Sequence, residues 1–357
     1  MVERQKKSDP SRGRGTVQNP PNRFERLAYL PILESTECEE RQTKTQYLKD
    51  ASRSLITYND SPDVGFEASI NPYRGCEHGC IYCYARPYHE YLGFSAGLDF
   101  ETKILVKEDA PELLREELAS RKWRPQVLAI SGVTDAYQPV ERKLQLTRRC
   151  LEVLTEFRNP VIIITKNHLV TRDIDLLKEL AGFNAASVCV SVTTLDPQLA
   201  SVMEPRTSIP ANRLDAIRAL AEAGVPVRVL VAPTIPGLTD HEMPSIIEAA
   251  AKAGACNAGY VVVRLPYAVS ELFENWLEVN FPERKKKVLN RIRSIRGGKL
   301  NDPNFGSRMR GEGAFAEQIR SMFQIACRRA GIDSGGPELS TAAFRRSSEP
   351  QLKLFGA

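Results

Sequence analysis

The run Asn71-Pro-Tyr-Arg-Gly-Cys-Glu-His-Gly-Cys-Ile-Tyr-Cys-Tyr84 places Cys76, Cys80 and Cys83 in one short loop. Their spacing is C-x3-C-x2-C, and the aromatic Tyr82 precedes the last cysteine. Full protein ligation of a [4Fe–4S] cube takes four cysteines. Three thiolates hold three corners and leave one iron open to an outside ligand. Such an iron is a reactive centre rather than a structural staple. Structural zinc usually takes four ligands in paired short spacings. His78, inside the loop, keeps a zinc site with a histidine as fourth ligand on the table.

Downstream of this loop the chain alternates short β-branched runs with amphipathic stretches. The expected strands are 67–70, 104–106, 127–131, 161–165, 187–192, 227–231 and 260–263. The expected helices between them are 110–119, 142–157, 173–180, 210–223 and 241–253. Apolar strands without polar alternation, spaced by helices, predict a buried parallel sheet with helical crossovers. Ala223-Gly-Val-Pro226 and Ala253-Gly254 are helix stops before strands. About six βα units follow one another, which predicts a full or partial barrel. A doubly wound sheet has the same periodicity and is the alternative. In a barrel, chemistry lies at the C-terminal ends of the strands, and the cysteine loop follows the first of them.

Beyond Arg264 the pattern is helical and basic, with helices expected over 269–280, 284–296 and 313–330. Between Pro282 and Ala330 there are 13 Lys/Arg against 4 Asp/Glu, a local charge of +9. The whole chain carries +5, so the remainder carries −4. A concentrated basic segment is a candidate polyanion-binding face, and equally a solvated helix surface. Residues 1–65 read as a polar arm, disordered through Pro21, with Arg12-Gly-Arg-Gly15 as a loose tail or, alternatively, a nucleic-acid contact. Residues from Asp333 onward are Gly/Ser/Pro-rich and expected to be flexible. No apolar run approaches a membrane span, and the basic start has no apolar h-region behind it. Cys38, Cys150, Cys189, Cys256 and Cys327 are scattered, as in a reducing cytoplasm. Each reads as a small buried apolar residue.

C-x3-C-x-aromatic-C resembles the signature loop of the radical S-adenosylmethionine (SAM) enzymes. That resemblance favours a partial (βα)6 TIM-like barrel, placed over 66–265; the residues beyond it divide into the basic helical extension, 266–332, and the tail, 333–357. The resemblance implies a [4Fe–4S] cluster on Cys76, Cys80 and Cys83. It also implies SAM bound at the open iron, cleaved to a 5′-deoxyadenosyl radical, and a reductant such as flavodoxin or ferredoxin. Gly75–Tyr84, Thr134-Asp135, Thr165-Lys166, Ser191 and Ile235-x-Gly237 are similar to one branch, the spore photoproduct lyase-like or DNA repair photolyase-like group. By that similarity Thr134 and Asp135 face SAM's methionine amino end, Lys166 its carboxylate, and Ser191 its ribose or carboxylate. Tyr82 and Ile235 flank the adenine. Glu204 and Arg206, in Met203-Glu-Pro-Arg206, are candidates for the ribose and a carboxylate. Tyr84 stands at a radical-relay position or simply packs beside the loop. One departure matters: the lyase itself has a cysteine hydrogen donor just before the Thr-Asp pair, and here that residue is Val133. The lyase reaction therefore does not carry over.

The last residues contain Gln351-Leu352-Lys353-Leu354-Phe355, which resembles the peptide that docks bacterial polymerases and repair proteins to the sliding clamp. Apolar anchors on a flexible tail suit such docking. The expected function is radical SAM chemistry on DNA, a damaged base or dimer. RNA or a protein side chain is the alternative substrate, and a non-catalytic iron–sulfur DNA-binding or redox-sensing protein is the alternative class.

Overall fold

The computed structural model describes residues 13–24, 44–332, 336 and 338–346. Ten strands occur in them: β1 (Gln46–Lys49), β2 (Ile56–Tyr58), β3 (Ala68–Ile70), β4 (Tyr73–Arg74), β5 (Lys103–Val106), β6 (Leu128–Ile130), β7 (Val161–Thr165), β8 (Ala186–Ser191), β9 (Val227–Thr234) and β10 (Asn257–Val262). Six of them, β3, β6, β7, β8, β9 and β10, lie side by side in chain order, and every neighbouring pair is parallel. A doubly wound sheet would reverse its order near the middle; this one does not. The sheet stays open, with β10 on one edge and the antiparallel β2 on the other. It is the partial (βα)6 barrel expected.

The helices form because their apolar faces have this sheet to cover. Leu114 and Leu118 of helix Ala110–Ala119 and Leu151 and Leu154 of helix Leu146–Phe157 are fully buried in the main core. They share it with Val188 and Val190 of β8, a strand buried at every residue. Burying each such side chain contributes about 1.5–3 kcal/mol. Two expectations differ from the structure. Residues 104–106 are not a barrel strand: β5 pairs with β1 and β4 in a separate three-stranded sheet. Its alternating burial marks a strand covered on one face only. The single helix expected over 142–157 breaks at Gln145, which has φ +51°. The second half begins at Leu146, where the Glu141 carboxylate accepts the Thr147 and Arg148 N–H groups.

Residues 13–24 and 338–346 are held in place where composition predicts loose chain. Residues 13–24 run along the segment that follows the cysteine loop, with the Leu98 N–H donating to the Gln18 carbonyl and Ser95 Oγ to the Pro20 carbonyl. At the other end, residues 338–346 cross the N-terminal face of the barrel. Ser340 N–H donates to Asn184 before β8, Arg345 N–H to Phe157 before β7, and Arg346 to the Trp123 carbonyl before β6. Gln351, Leu352, Leu354 and Phe355 lie outside the described residues. No helix among those described is long and apolar enough to cross a membrane.

Candidate functional site

The cysteine loop leaves β3 at the C-terminal end of the sheet and is held from several directions. The Cys76 N–H donates to the Phe100 carbonyl at 2.9 Å, Ile81 N–H to Met203 at 3.1 Å, and Arg206 N–H to His78 at 3.3 Å. Thus the segment after β8 lies against the loop backbone. Gln138, after β6, accepts the Glu77 N–H at 2.9 Å and donates to the Gly75 carbonyl at 3.3 Å. Gly79, at φ +66°, turns the loop where a Cβ would come within 2.7 Å of the Glu101 carboxylate. Only glycine fits such a turn without strain.

Beneath the loop lies a side chain that pattern reading did not single out. Arg86 is fully buried. Its Nε donates to the Cys80 carbonyl, one Nη to Ala96 and Gly97, and the other to Gly79 and to Glu101 Oε1 at 2.6 Å. The rigid guanidinium fork suits such multiple recognition. Glu101 in turn accepts the Gly15 N–H at 2.9 Å, and its carbonyl accepts Arg14. Gly15 passes so close that a Cβ there would lie 1.8 Å from the Gly79 carbonyl oxygen. The N-terminal arm is therefore part of the loop's mount. The only sequence signal for Arg86 is a charged residue three positions after the last cysteine.

The three thiols are Cys76 and Cys80, both buried, and the half-buried Cys83. Burial first, and then the charge of Glu204, pushes the Cys80 thiol well above its ordinary pKa, while Lys166 pulls the other way. His78 is no free fourth ligand. Its Nδ1 stands 3.4 Å from Asp135 and its Nε2 3.2 Å from the Asn167 amide. Burial disfavours the charged ring, but Asp135 and Cys76 outweigh it and raise its pKa to about 10. Cys150, Cys189 and Cys327 are buried as expected, in a helix, β8 and the last helix, whereas Cys256, in the turn before β10, is exposed and Cys38 lies outside the described residues. Among the described residues no three His, Cys, Asp or Glu side chains stand close enough to share one metal ion. The donor set is three thiols near enough for the charge of one to raise the pKa of another. It fits a cluster held at three vertices.

The other expected site residues converge on the same end of the barrel. Lys166, directly after β7, is half-buried with its Nζ 5.9 Å from the centre of the Tyr82 ring. No hydrogen bond or ion pair to that ammonium occurs among the described residues, although its charge reaches Cys80 and Glu204. Asp135 accepts Thr165 Oγ1 at 2.8 Å, Lys166 N–H at 2.7 Å and Tyr137 N–H at 2.9 Å. Its pKa falls to about 2: burial opposes this, and His78 and those donors override it. Thr134 is buried and donates to the Tyr73 carbonyl at 3.3 Å. Ser191 is buried at the end of β8, its carbonyl accepting Arg213. Tyr82 and Ile235 share one apolar cluster with Cys80 and Ile81.

Glu204 and Arg206 are committed to the protein instead of standing free. Glu204, fully buried, accepts from Tyr82 Oη, from Thr193 at 2.7 Å and from Arg213. Arg206 donates to the Gly13 carbonyl at 2.9 Å and to Glu77 at 3.4 Å. Asp196 is a helix N-cap, accepting Gln198 and Leu199 N–H groups, and its helix delivers Glu204 to this place. Tyr84 Oη donates to the Gly132 carbonyl, and Arg264 lies over its ring at 5.2 Å. Val133 packs against the buried cluster of Cys76, Ala85 and Phe100, as Cys83 does.

Residues 70–250 match the family model of the radical SAM superfamily. An uncharacterized protein of Mycobacterium tuberculosis is 36% identical over 248 residues, covering 69% of this chain and 72% of its own. An uncharacterized protein of Methanocaldococcus jannaschii is 29% identical, covering 70% and 89%. Among solved structures, spore photoproduct lyase complexed with dinucleoside spore photoproduct superposes with a TM-score of 0.58 at 16% identity, over 82% of each chain. That likeness is one of fold.

Proposed function

The chain belongs to the radical SAM superfamily, and on that premise we propose that its substrate is DNA, with a damaged base or dimer as the part attacked. As a member of that family it is an enzyme that uses a [4Fe–4S] cluster and SAM. When bound together and reduced, these supply a 5′-deoxyadenosyl radical that abstracts hydrogen, and the protein's part is to position and shield them. Cys76, Cys80 and Cys83 would hold the cluster. The Lys166 ammonium, unpaired among the described residues, would receive SAM's methionine carboxylate. Asp135 would fix the Lys166 backbone, and Thr134 and Ser191 would meet the rest of the cofactor's polar groups. Tyr82 and Ile235 would bound the adenine.

The observation that carries the DNA reading is the position of the basic helix Pro282–Ser294. It packs on the loop after β9, with the Val288 Cα, Lys287 and Arg291 within 4 Å of a Cβ built at Gly237. Arg296, just beyond it, donates to the Val262 and Val263 carbonyls at the end of β10. Its exposed Arg284, Lys286 and Lys287 therefore rim the same mouth as the cysteine loop. Phosphates would be neutralised there, with a strong salt dependence. A base reached in duplex would have to be extruded from the stack. That a protein of the same fold is known in complex with a dinucleoside photoproduct supports the reading. Val133 in place of a cysteine separates the reaction from that lyase's.

The tail Gln351–Phe355 would dock to a sliding clamp. The strap of residues 338–346 crosses the face opposite the mouth, so a docked tail would leave the site open. Anaerobic protein with SAM, dithionite and a panel of damaged oligonucleotides tests the substrate. More 5′-deoxyadenosine with one DNA lesion than with RNA or no substrate is expected. Equal yields throughout would remove DNA as substrate.

A further inference from the structure

Among the described residues eight aromatic side chains are exposed, and five of them gather at one place. Tyr84, Tyr88 and Tyr91 follow the cysteine loop outward along the short helix Arg86–Leu92. Tyr88 and Tyr91 are 6.4 Å apart between ring centres, and Phe24 of the N-terminal arm lies 4.7 Å from Tyr91. Tyr267, in the loop after β10, is bridged to them by Arg23, whose guanidinium stands 3.7 Å from the Tyr267 ring and 5.0 Å from Phe24. Arg23 is itself held by the buried Glu90 at 2.6 Å. These rings are not spare core: Tyr88 is 55% exposed, Tyr91 67%, Phe24 55% and Tyr267 64%. Single exposed aromatics are ordinary, but a contiguous group marks an interaction site.

The platform begins at the reactive loop, since Tyr84 directly follows Cys83, precedes the helix that carries Tyr88, and lies under Arg264. Arg264 sits just after β10, half-buried, and among the described residues no carboxylate stands in ion-pair contact with it; its side chain donates to the Met309 sulfur at 3.5 Å. Its Nε is buried without a partner. An arginine over an aromatic ring, beside further exposed rings and near a basic helix, is the combination that binds unpaired nucleotides. The bases stack on the rings and the cations track the phosphates. A duplex offers no free base faces to such a surface.

We infer that the rings from Tyr84 to Phe24, with Tyr267 and the Arg23 and Arg264 guanidiniums, form a stacking platform for unpaired bases of a nucleic acid strand leading into the mouth. This deepens the DNA reading above and rests on it. The substrate is then single-stranded or locally opened DNA, whose flanking bases are held outside while one nucleotide enters.

The test is fluorescence anisotropy of the reconstituted holoprotein with a labelled thymidylate strand of about 15 nucleotides, the matching duplex and an acidic peptide of equal charge. The variants are Tyr88→Ala/Tyr91→Ala and, as control, Tyr58→Ala, an exposed tyrosine on β2. Iron content of each preparation checks the fold. The wild type should bind the strand more tightly than the duplex or the peptide. The double variant should lose at least about tenfold for the strand, and the control almost nothing. A double variant with full iron and unchanged strand affinity overturns the platform, as does peptide binding as tight as strand binding. 5′-Deoxyadenosine is read in the same samples. Strand binding that depends on the rings, without any rise of 5′-deoxyadenosine with DNA, overturns DNA as substrate and leaves the platform standing.

Discussion

Arg86 and Glu101 meet at 2.6 Å with neither side chain exposed to solvent, and between them they tie the cysteine loop to the N-terminal arm. Removing one partner of a buried pair leaves the other charge without compensation, at a cost of about 3–5 kcal/mol. Arg86→Met should therefore lower the unfolding midpoint and reduce iron bound per chain on anaerobic reconstitution. Arg86→Lys should rescue little, because one ammonium cannot reach four carbonyls and a carboxylate. Full iron content and an unchanged midpoint in Arg86→Met would show that the pair does not hold the loop.

Gly15 tests the arm separately. A methyl group there meets the Gly79 carbonyl at 1.8 Å, so Gly15→Ala must push the arm off and take the Gly15 N–H from Glu101. Losing a donor to a buried carboxylate costs about 1–3 kcal/mol. The variant's cluster should bleach faster in air than the wild type's, measured as loss of iron–sulfur absorbance. Identical decay would mean the arm contributes nothing to the mount.

The Lys166 ammonium, next to Tyr82, has no hydrogen-bond or ion-pair partner among the described residues. Lys166→Ala should weaken SAM binding by about tenfold to a hundredfold, the range of a charge-assisted contact, while iron content stays at the wild-type level. Calorimetric titration with SAM reads this. Wild-type affinity in the variant would place the methionine carboxylate elsewhere.

His89 gives the fold an acid limit. It is buried against Phe94 and Phe100, and burial lowers its pKa to about 4. The unfolded chain, with an ordinary histidine near 6.5, takes up a proton first as pH falls. Stability is thus complete above about pH 6.5 and declines toward pH 4, by on the order of 3 kcal/mol. Thermal midpoints of wild type and His89→Met across this window should converge as pH falls. Parallel curves would assign the acid sensitivity to other groups.

Much of the barrel could be read because its strands are wholly apolar and its helices one-sided; β7 and the helix Ala110–Ala119 fall where periodicity puts them. The cysteine loop could be read because ligand chemistry fixes residue type and spacing. What composition hid was long-range pairing. Nothing local in Arg14-Gly15 announces a buried carboxylate 86 residues away, and a strap that follows the Ser-Gly-Gly-Pro run at 334–337 looks disordered until its backbone finds Asn184 and Phe157. Glu204 and Arg206 had the right chemistry for a ligand, but Arg213, fully buried and nine residues from Glu204, claims that carboxylate first.

The central claim is a cluster gripped by Cys76, Cys80 and Cys83 with one iron left for SAM. Electron paramagnetic resonance of the anaerobically reconstituted, reduced protein, recorded with and without SAM, tests it most directly. About four irons per chain and a reduced-cluster signal that shifts when SAM is added are predicted. A zinc-loaded protein, or a cluster signal that SAM leaves untouched, would contradict it.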